Sequence, residues 1–315
     1  MVQITVDQLR GDMPASVRER LPEGGLRYLF EQGIHYQNAH YRHANTETAV
    51  GHATLFTGAL PAQHGIVGND WIDQATQAFV YNTEDDAHFI LGNTPKPHQG
   101  VSPKNLLVPT IGDQLVSAGL GRVFSVSGKD RGAILPGGHQ GKAFWYSKSS
   151  GQFVTSSYYY QSYPQWVEGW NQKLLSDHFR GNQWALSREG RDYRKLTEDD
   201  RAFEADLLGF GRTFPHNYGD SKYVPLLVGL SPPIDEITID FALTMMDNES
   251  IGLATGTDML AISLSATDYV GHLYGSGSLE AEDNLFRLDR QLAKLFTFID
   301  ERVGLENTLI VLSAD

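Results

Sequence analysis

Three short runs, "QITVD", "DMLAISLSATD" and "TLIVLSAD", are continuously apolar and each leads to a carboxylate. Strands this short and this apolar must be buried on both faces. Helices must therefore cover both sides of the sheet they form. The stretches between them supply such helices. "LRYLFEQG" has helical spacing and a glycine stop, and "TAVGHATLFTG" closes at Gly58 with Pro61 beyond it. "TIGDQLVSAG" reads as a helix before the strand "GRVFSVS". A long amphipathic helix over "LEAEDNLFRLDRQLAKLFTFIDERVG" places Leu285, Leu288, Leu292, Leu295 and Ile299 on one face. This alternation predicts an α/β fold: a doubly wound central sheet with helices on both faces.

The 315 residues, 41% hydrophobic, suffice for one large domain with an insertion. The insertion is expected at 137–222, a stretch rich in Tyr, Trp, Ser and charge, leaving 1–136 and 223–315 as the core. Within it "FWYSKSSGQFVTSSYYY" reads as a hairpin and "REGRDYRKLTEDDRAF" as a polar surface segment. Its aromatic residues, such as Trp145, Tyr158 and Trp166, are read first as packing between cap and core, and second as shaping a leaving-group pocket. No apolar run is long enough to span a bilayer. No signal peptide is legible, and Met1 standing almost on the first strand suggests a replaced leader. There are no cysteines, which excludes disulfides and thiolate chemistry. A net charge of −13 argues against nonspecific nucleic-acid binding. It also repels phosphate, so a phosphorylated ligand would need local positive charge.

Ligands of open α/β sheets bind beyond the carboxyl ends of the strands. Asp7, Asp268 and Asp315 stand at such ends. Each alone is most simply a helix cap, but converging carboxylates repel unless a cation sits between them. His272 follows Asp268 at the spacing that lets both share a metal from one helical turn. Thr46 or Thr48, at the start of "TAVGHATLFTG", is an ordinary cap or a nucleophile at a helix N-terminus, where free N–H groups favour an anion. Asn69 in "HGIVGNDW" is a turn residue or an amide donor to a phosphate oxygen. Lys129 and Arg131 in "SGKDRG" alternate along extended chain and could reach one anion; the simpler reading is a solvated turn.

Together "VDQLRGD", "TETAVGHATLFTGALPAQHGIVGNDW", "SGKDRGAI", "FWYSKSSGQFVTSSYY", "SATDYVGHLYG" and "LDRQLAKLFTFIDERVGLENTLIVLSAD" resemble the alkaline phosphatase superfamily. The resemblance is to the phosphate-irrepressible periplasmic phosphomonoesterases with a threonine nucleophile. It covers nearly the whole chain and implies an alkaline-phosphatase-like fold. It also implies two divalent metal ions, usually zinc, although oxygen and nitrogen ligands also suit manganese or iron. Asp7, Asp315 and the Thr48 oxygen would bind one metal, and Asp268 and His272 the other. Thr48 is implied as nucleophile, with Asn69, Lys129 and Arg131 on the phosphoryl oxygens. Small phosphorylated substrates and a periplasmic or secreted location follow as expectations.

The chain departs from the superfamily pattern in one respect. There the last acid is followed directly by a ligand histidine, and another histidine comes much later. Neither is present here. The chain is accordingly read as the first part of a longer protein, with a C-terminal segment or second fragment supplying the rest. The runner-up enzyme is a nucleotide pyrophosphatase or phosphodiesterase of the same superfamily, which would lack the Lys/Arg pair. Sulfatases need a Cys or Ser in a C/S-x-P-x-R context, which does not fit. Cofactor-independent phosphoglycerate mutases usually carry a serine nucleophile and a different insertion. An inactive phosphatase-like binding fragment is the non-enzyme alternative.

Overall fold

A computed structural model of the chain describes residues 1–196 and 199–315. Thr197 and Glu198, inside the polar segment of the expected insert, lie outside the described residues. The main sheet holds six strands: β1 (Val2–Val6), β2 (Val123–Ser127), β3 (Lys142–Ser147), β4 (Gln152–Val154), β5 (Met259–Leu264) and β6 (Ile310–Ser313). Their order is β6-β1-β5-β2-β3-β4, parallel throughout except for the antiparallel β3–β4 pair. Strands β1, β2 and β5 are buried at every position, as their apolar runs require.

The helices that position the site are α1 (Leu26–Gln32), α2 (Thr48–Thr57), α3 (Ile111–Ser117), α4 (Asp130–Gly137), α5 (Pro233–Asn248), α6 (Ala266–Tyr274) and α7 (Leu279–Arg302). Local chemistry sets their ends. Gly58 closes α2 at φ +67°, a conformation costly for residues with a side chain. Thr110 and Asp113 form a reciprocal capping box at the start of α3. Leu285, Leu288, Leu292, Leu295 and Ile299 of α7 are all buried, so the helix contributes one continuous face to the core.

The hairpin expected in the insert is present as β3 and β4, but it extends the main sheet. Phe124↔Lys142 through Ser127↔Trp145 pair in parallel with β2. The aromatic run lacks the uniform β-branched character of the other strands, so its sequence does not place it in their sheet. Its rings instead fill the space between sheet and helices. Phe153 stacks on Phe241 of α5 with centroids 4.3 Å apart, and Trp166 and Trp170 close on the same ring. Trp145 is buried, and the Tyr158 hydroxyl donates to the His139 carbonyl.

Candidate active site

Parallel strands deliver their carboxyl ends to one edge, and that edge gathers the chemistry. Asp7 directly follows β1 and is fully buried. Its Oδ1 accepts from Ser263 Oγ of β5 at 3.1 Å. Its Oδ2 meets the Lys129 ammonium at 2.7 Å, outside hydrogen-bond geometry, and has no other partner among the described residues. Burial pushes this carboxyl up from its ordinary range, against the pull of Lys129.

Lys129 stands just past β2, before α4, and is itself buried. Its Nζ also lies 2.5 Å from Asp268 Oδ2 and 3.2 Å from Thr48 Oγ1. Burial alone would favour the neutral amine. The carboxylates of Asp7 and Asp268 outweigh it and hold the lysine charged. One ammonium thus joins a residue from β1, the first turn of α2 and α6.

Thr48 opens α2 and is buried, whereas Thr46 is exposed. Of the two threonines, then, only Thr48 faces the cluster. The Ala49 N–H donates to Asn69 Oδ1 at 3.1 Å, and the Asn69 N–H donates to Glu47 Oε2. Pinning the Asn69 carbonyl leaves its amide NH2 without a partner among the described residues. Arg131 touches the Tyr81 hydroxyl at 3.4 Å and Asp130 at 3.9 Å, and its Nε is buried with no acceptor among the described residues. The Asn69 amide and the Arg131 Nε are donors still lacking acceptors among the described residues.

Asp268 and His272 sit one turn apart on α6, with Nε2 3.2 Å from Oδ1. The histidine side chain is 69% exposed and the aspartate 13%. Asp315, two residues past β6, accepts from the Gln8 N–H at 3.0 Å. It passes so close to α2 that a β-carbon on Gly51 would come within 2.8 Å of its backbone. A glycine in the second turn of α2 is what admits this carboxylate. Burial would raise Asp315, but His52 beside it outweighs burial and holds it below the usual range.

Sequence reasoning did not single out His52, although "GH" was part of the quoted motif. It lies four residues after Thr48, fully buried. It contacts the Thr48 carbonyl at 2.8 Å, Ser263 Oγ at 2.9 Å, Asp315 at 3.5 Å and Asp7 at 3.6 Å. Both ring nitrogens already face oxygens, so it orients the two carboxylates from behind. Oxygen or nitrogen atoms of Asp7, His52 and Asp315 lie within 4.8 Å of one another. Two buried carboxylates, one with an oxygen that only an ammonium approaches, form a donor set suited to a divalent cation. The residues present therefore fit a metal.

The type I phosphodiesterase / nucleotide pyrophosphatase family matches the chain over residues 1–315. Alkaline phosphatase PhoV of Synechococcus elongatus is 36% identical over all of this chain and 58% of its own length. Alkaline phosphatase PafA of Elizabethkingia meningoseptica is 37% identical over 59% of its length. A protein named calcium-transporting ATPase from Myroides odoratus is 38% identical, again over 59%. The chain thus spans just under three fifths of these relatives. The crystal structure of wild-type PafA superposes with a TM-score of 0.93 at 36% identity, covering 100% of this chain and 62% of that one. Among the described residues no helix is long and apolar enough to cross a membrane. The full-length match and the shared fold lead to one conclusion: the chain belongs to the type I phosphodiesterase / nucleotide pyrophosphatase family.

Proposed function

We propose that this chain carries the catalytic edge of a metal-dependent phosphomonoesterase that works through a phosphothreonine at Thr48. The observation that carries the reading is the Lys129 ammonium, held in contact with Asp7, Asp268 and Thr48 at once. It brings the proposed nucleophile and two proposed metal ligands into one cluster. One similar structure is a PafA variant with a threonine, an asparagine, a lysine and an arginine substituted. In that variant the asparagine follows the threonine by 21 positions and the arginine follows the lysine by 2, the same intervals as Thr48 to Asn69 and Lys129 to Arg131.

In this reading Asp7 and Asp315 hold one divalent ion, proposed as zinc, and Asp268 and His272 hold the other. Bound metal would supply charge stabilisation and a lowered hydroxyl pKa. Four such side chains are fewer than two zinc sites usually take, so further ligands from outside residues 1–315 belong to the proposal. The Thr48 oxygen attacks phosphorus as the bond to the leaving oxygen breaks. The Asn69 amide, Lys129 and Arg131 meet the phosphoryl oxygens, where positioning and electrostatics do most of the work. Water then cleaves the phosphothreonine, releasing phosphate and restoring the hydroxyl.

Two cations beside the threonine favour a dianionic monoester, because a diester has a substituent where one of them would bind. The insert expected at 137–222, apart from the β3–β4 hairpin that joins the main sheet, is proposed as the cap over this edge, and a periplasmic or secreted location goes with the reading. The test is side-by-side hydrolysis of p-nitrophenyl phosphate and its bis-ester with added zinc. Monoester preference, abolished by Thr48→Ala and weakened far more than bis-ester turnover by the double change Lys129→Ala/Arg131→Ala, is the expected result. Preference for the bis-ester in the unaltered chain would replace the reading with a diesterase.

A further inference from the structure

A third cation stands at the same edge. Lys148 follows β3, the strand beside β2, and its Nζ donates to the Tyr269 hydroxyl at 2.5 Å. The Tyr269 ring lies between the two lysines' reach: Lys148 Nζ is 4.2 Å from its centroid and Lys129 Nζ 4.8 Å. The other two cations each have a carboxylate, Asp7 and Asp268 for Lys129, Asp130 for Arg131. Lys148 makes no ion pair with any carboxylate among the described residues.

Its position is built. Gly229 stands against the aliphatic stem, and a β-carbon there would meet Lys148 Cγ at 2.9 Å and Tyr146 Cε1 at 3.0 Å. Gly229 has φ −69°, which any residue can adopt, so what the glycine provides is room. Burial, then the charges of Lys129 and Arg131, pull the Lys148 ammonium down to about 8, with Asp130 and Asp268 opposing only weakly. A part-buried cation held this way lacks an anion, in a protein with 38 acidic against 25 basic residues.

We propose that Lys148, anchored on Tyr269, is an anion subsite for the leaving group. The preferred substrates are then phosphate monoesters that carry a second negative group, a carboxylate or another phosphate, near the ester oxygen. This rests on the phosphomonoesterase reading and names its substrate class.

The test is calorimetric binding of phosphoglycolate and ethyl phosphate in one zinc-containing buffer to the Thr48→Ala variant, which cannot turn either ligand over and in which the Lys148 changes are made. The two ligands share a phosphoryl group and differ by one carboxylate. Phosphoglycolate is expected to bind about tenfold tighter, as one charge-assisted hydrogen bond allows. Lys148→Met, which keeps the stem, should erase that ratio without weakening ethyl phosphate, and Lys148→Arg should restore it. Ethyl phosphate binding with no preference for phosphoglycolate, or a preference that survives Lys148→Met, overturns the subsite alone. Failure of both ligands to bind overturns the phosphomonoesterase reading and the subsite with it.

Discussion

The two halves of the candidate centre are built in opposite ways. The Asp7 and Asp315 carboxylates are covered, from strand ends far apart in the chain, with His52 and Ser263 fixing them. Asp268 and His272 come from a single turn of α6, and the histidine is largely in solvent. The buried half is preorganised by its neighbours. The surface half depends on how α6 is held. The difference teaches where electrostatic cost accumulates. Buried carboxylates need a permanent counter-charge, and Lys129 provides it. A pair with one partner in solvent, as His272 is, is screened by water and contributes less to stability.

Removing that counter-charge should produce the largest effect. Lys129→Met leaves Asp7 buried opposite a neutral side chain, with an expected loss of about 3–5 kcal/mol of unfolding free energy without metal. Added zinc should recover much of it. Denaturant unfolding with chelator and with zinc measures both. A loss below about 1 kcal/mol without metal would mean the buried half does not need the lysine.

The surface half has its own buried support. Asp235 of α5 accepts from the Ser265 and Ala266 N–H groups at the start of α6. Burial, only partly offset by these bonds, pushes its carboxyl up to about 7. Because the folded value exceeds the unfolded one, the folded chain holds a proton that the unfolded chain has lost. The contribution of Asp235 to stability is therefore complete below about pH 4. It is lost as pH rises through about 7, by at most about 4 kcal/mol. Asp235→Asn should flatten stability between pH 5 and about 8 relative to the unaltered chain. Parallel stability–pH curves would show that Asp235 ionises normally.

The smallest expected effect compares the halves directly. Asp7→Ala should weaken zinc binding about 100-fold and His272→Ala about tenfold, because only the former dismantles a preorganised set. Equilibrium dialysis with zinc decides it. Equal losses would erase the distinction, and a larger loss at His272 would reverse it.

Legibility followed the same division. Asp268 and His272 were visible as a four-residue spacing on one helix, since local geometry is enough to place them together. The strands ending near Asp7 and Asp315 were visible as apolar runs. Their closeness was not, because it depends on β6 and β5 flanking β1 and on Gly51 letting the chain pass. His52 and Ser263 carried only weak signals, one a histidine inside a helix and the other a serine inside a strand. The β3–β4 hairpin was recognised as a hairpin and assigned to the cap, because aromatic strands filling a groove do not show which sheet they join.

By itself, then, the sequence determined the parallel α/β architecture, since apolar strands must be covered on both faces. It also determined which side chains end at the candidate edge, since the parallel strands send their carboxyl ends to one side. The tertiary structure alone decided which of those side chains touch. Contact between Lys129, Asp7, Asp268 and Thr48 is set by strand order and helix packing across separations of 81 to 139 residues of chain. Local propensity carries no record of separations that long.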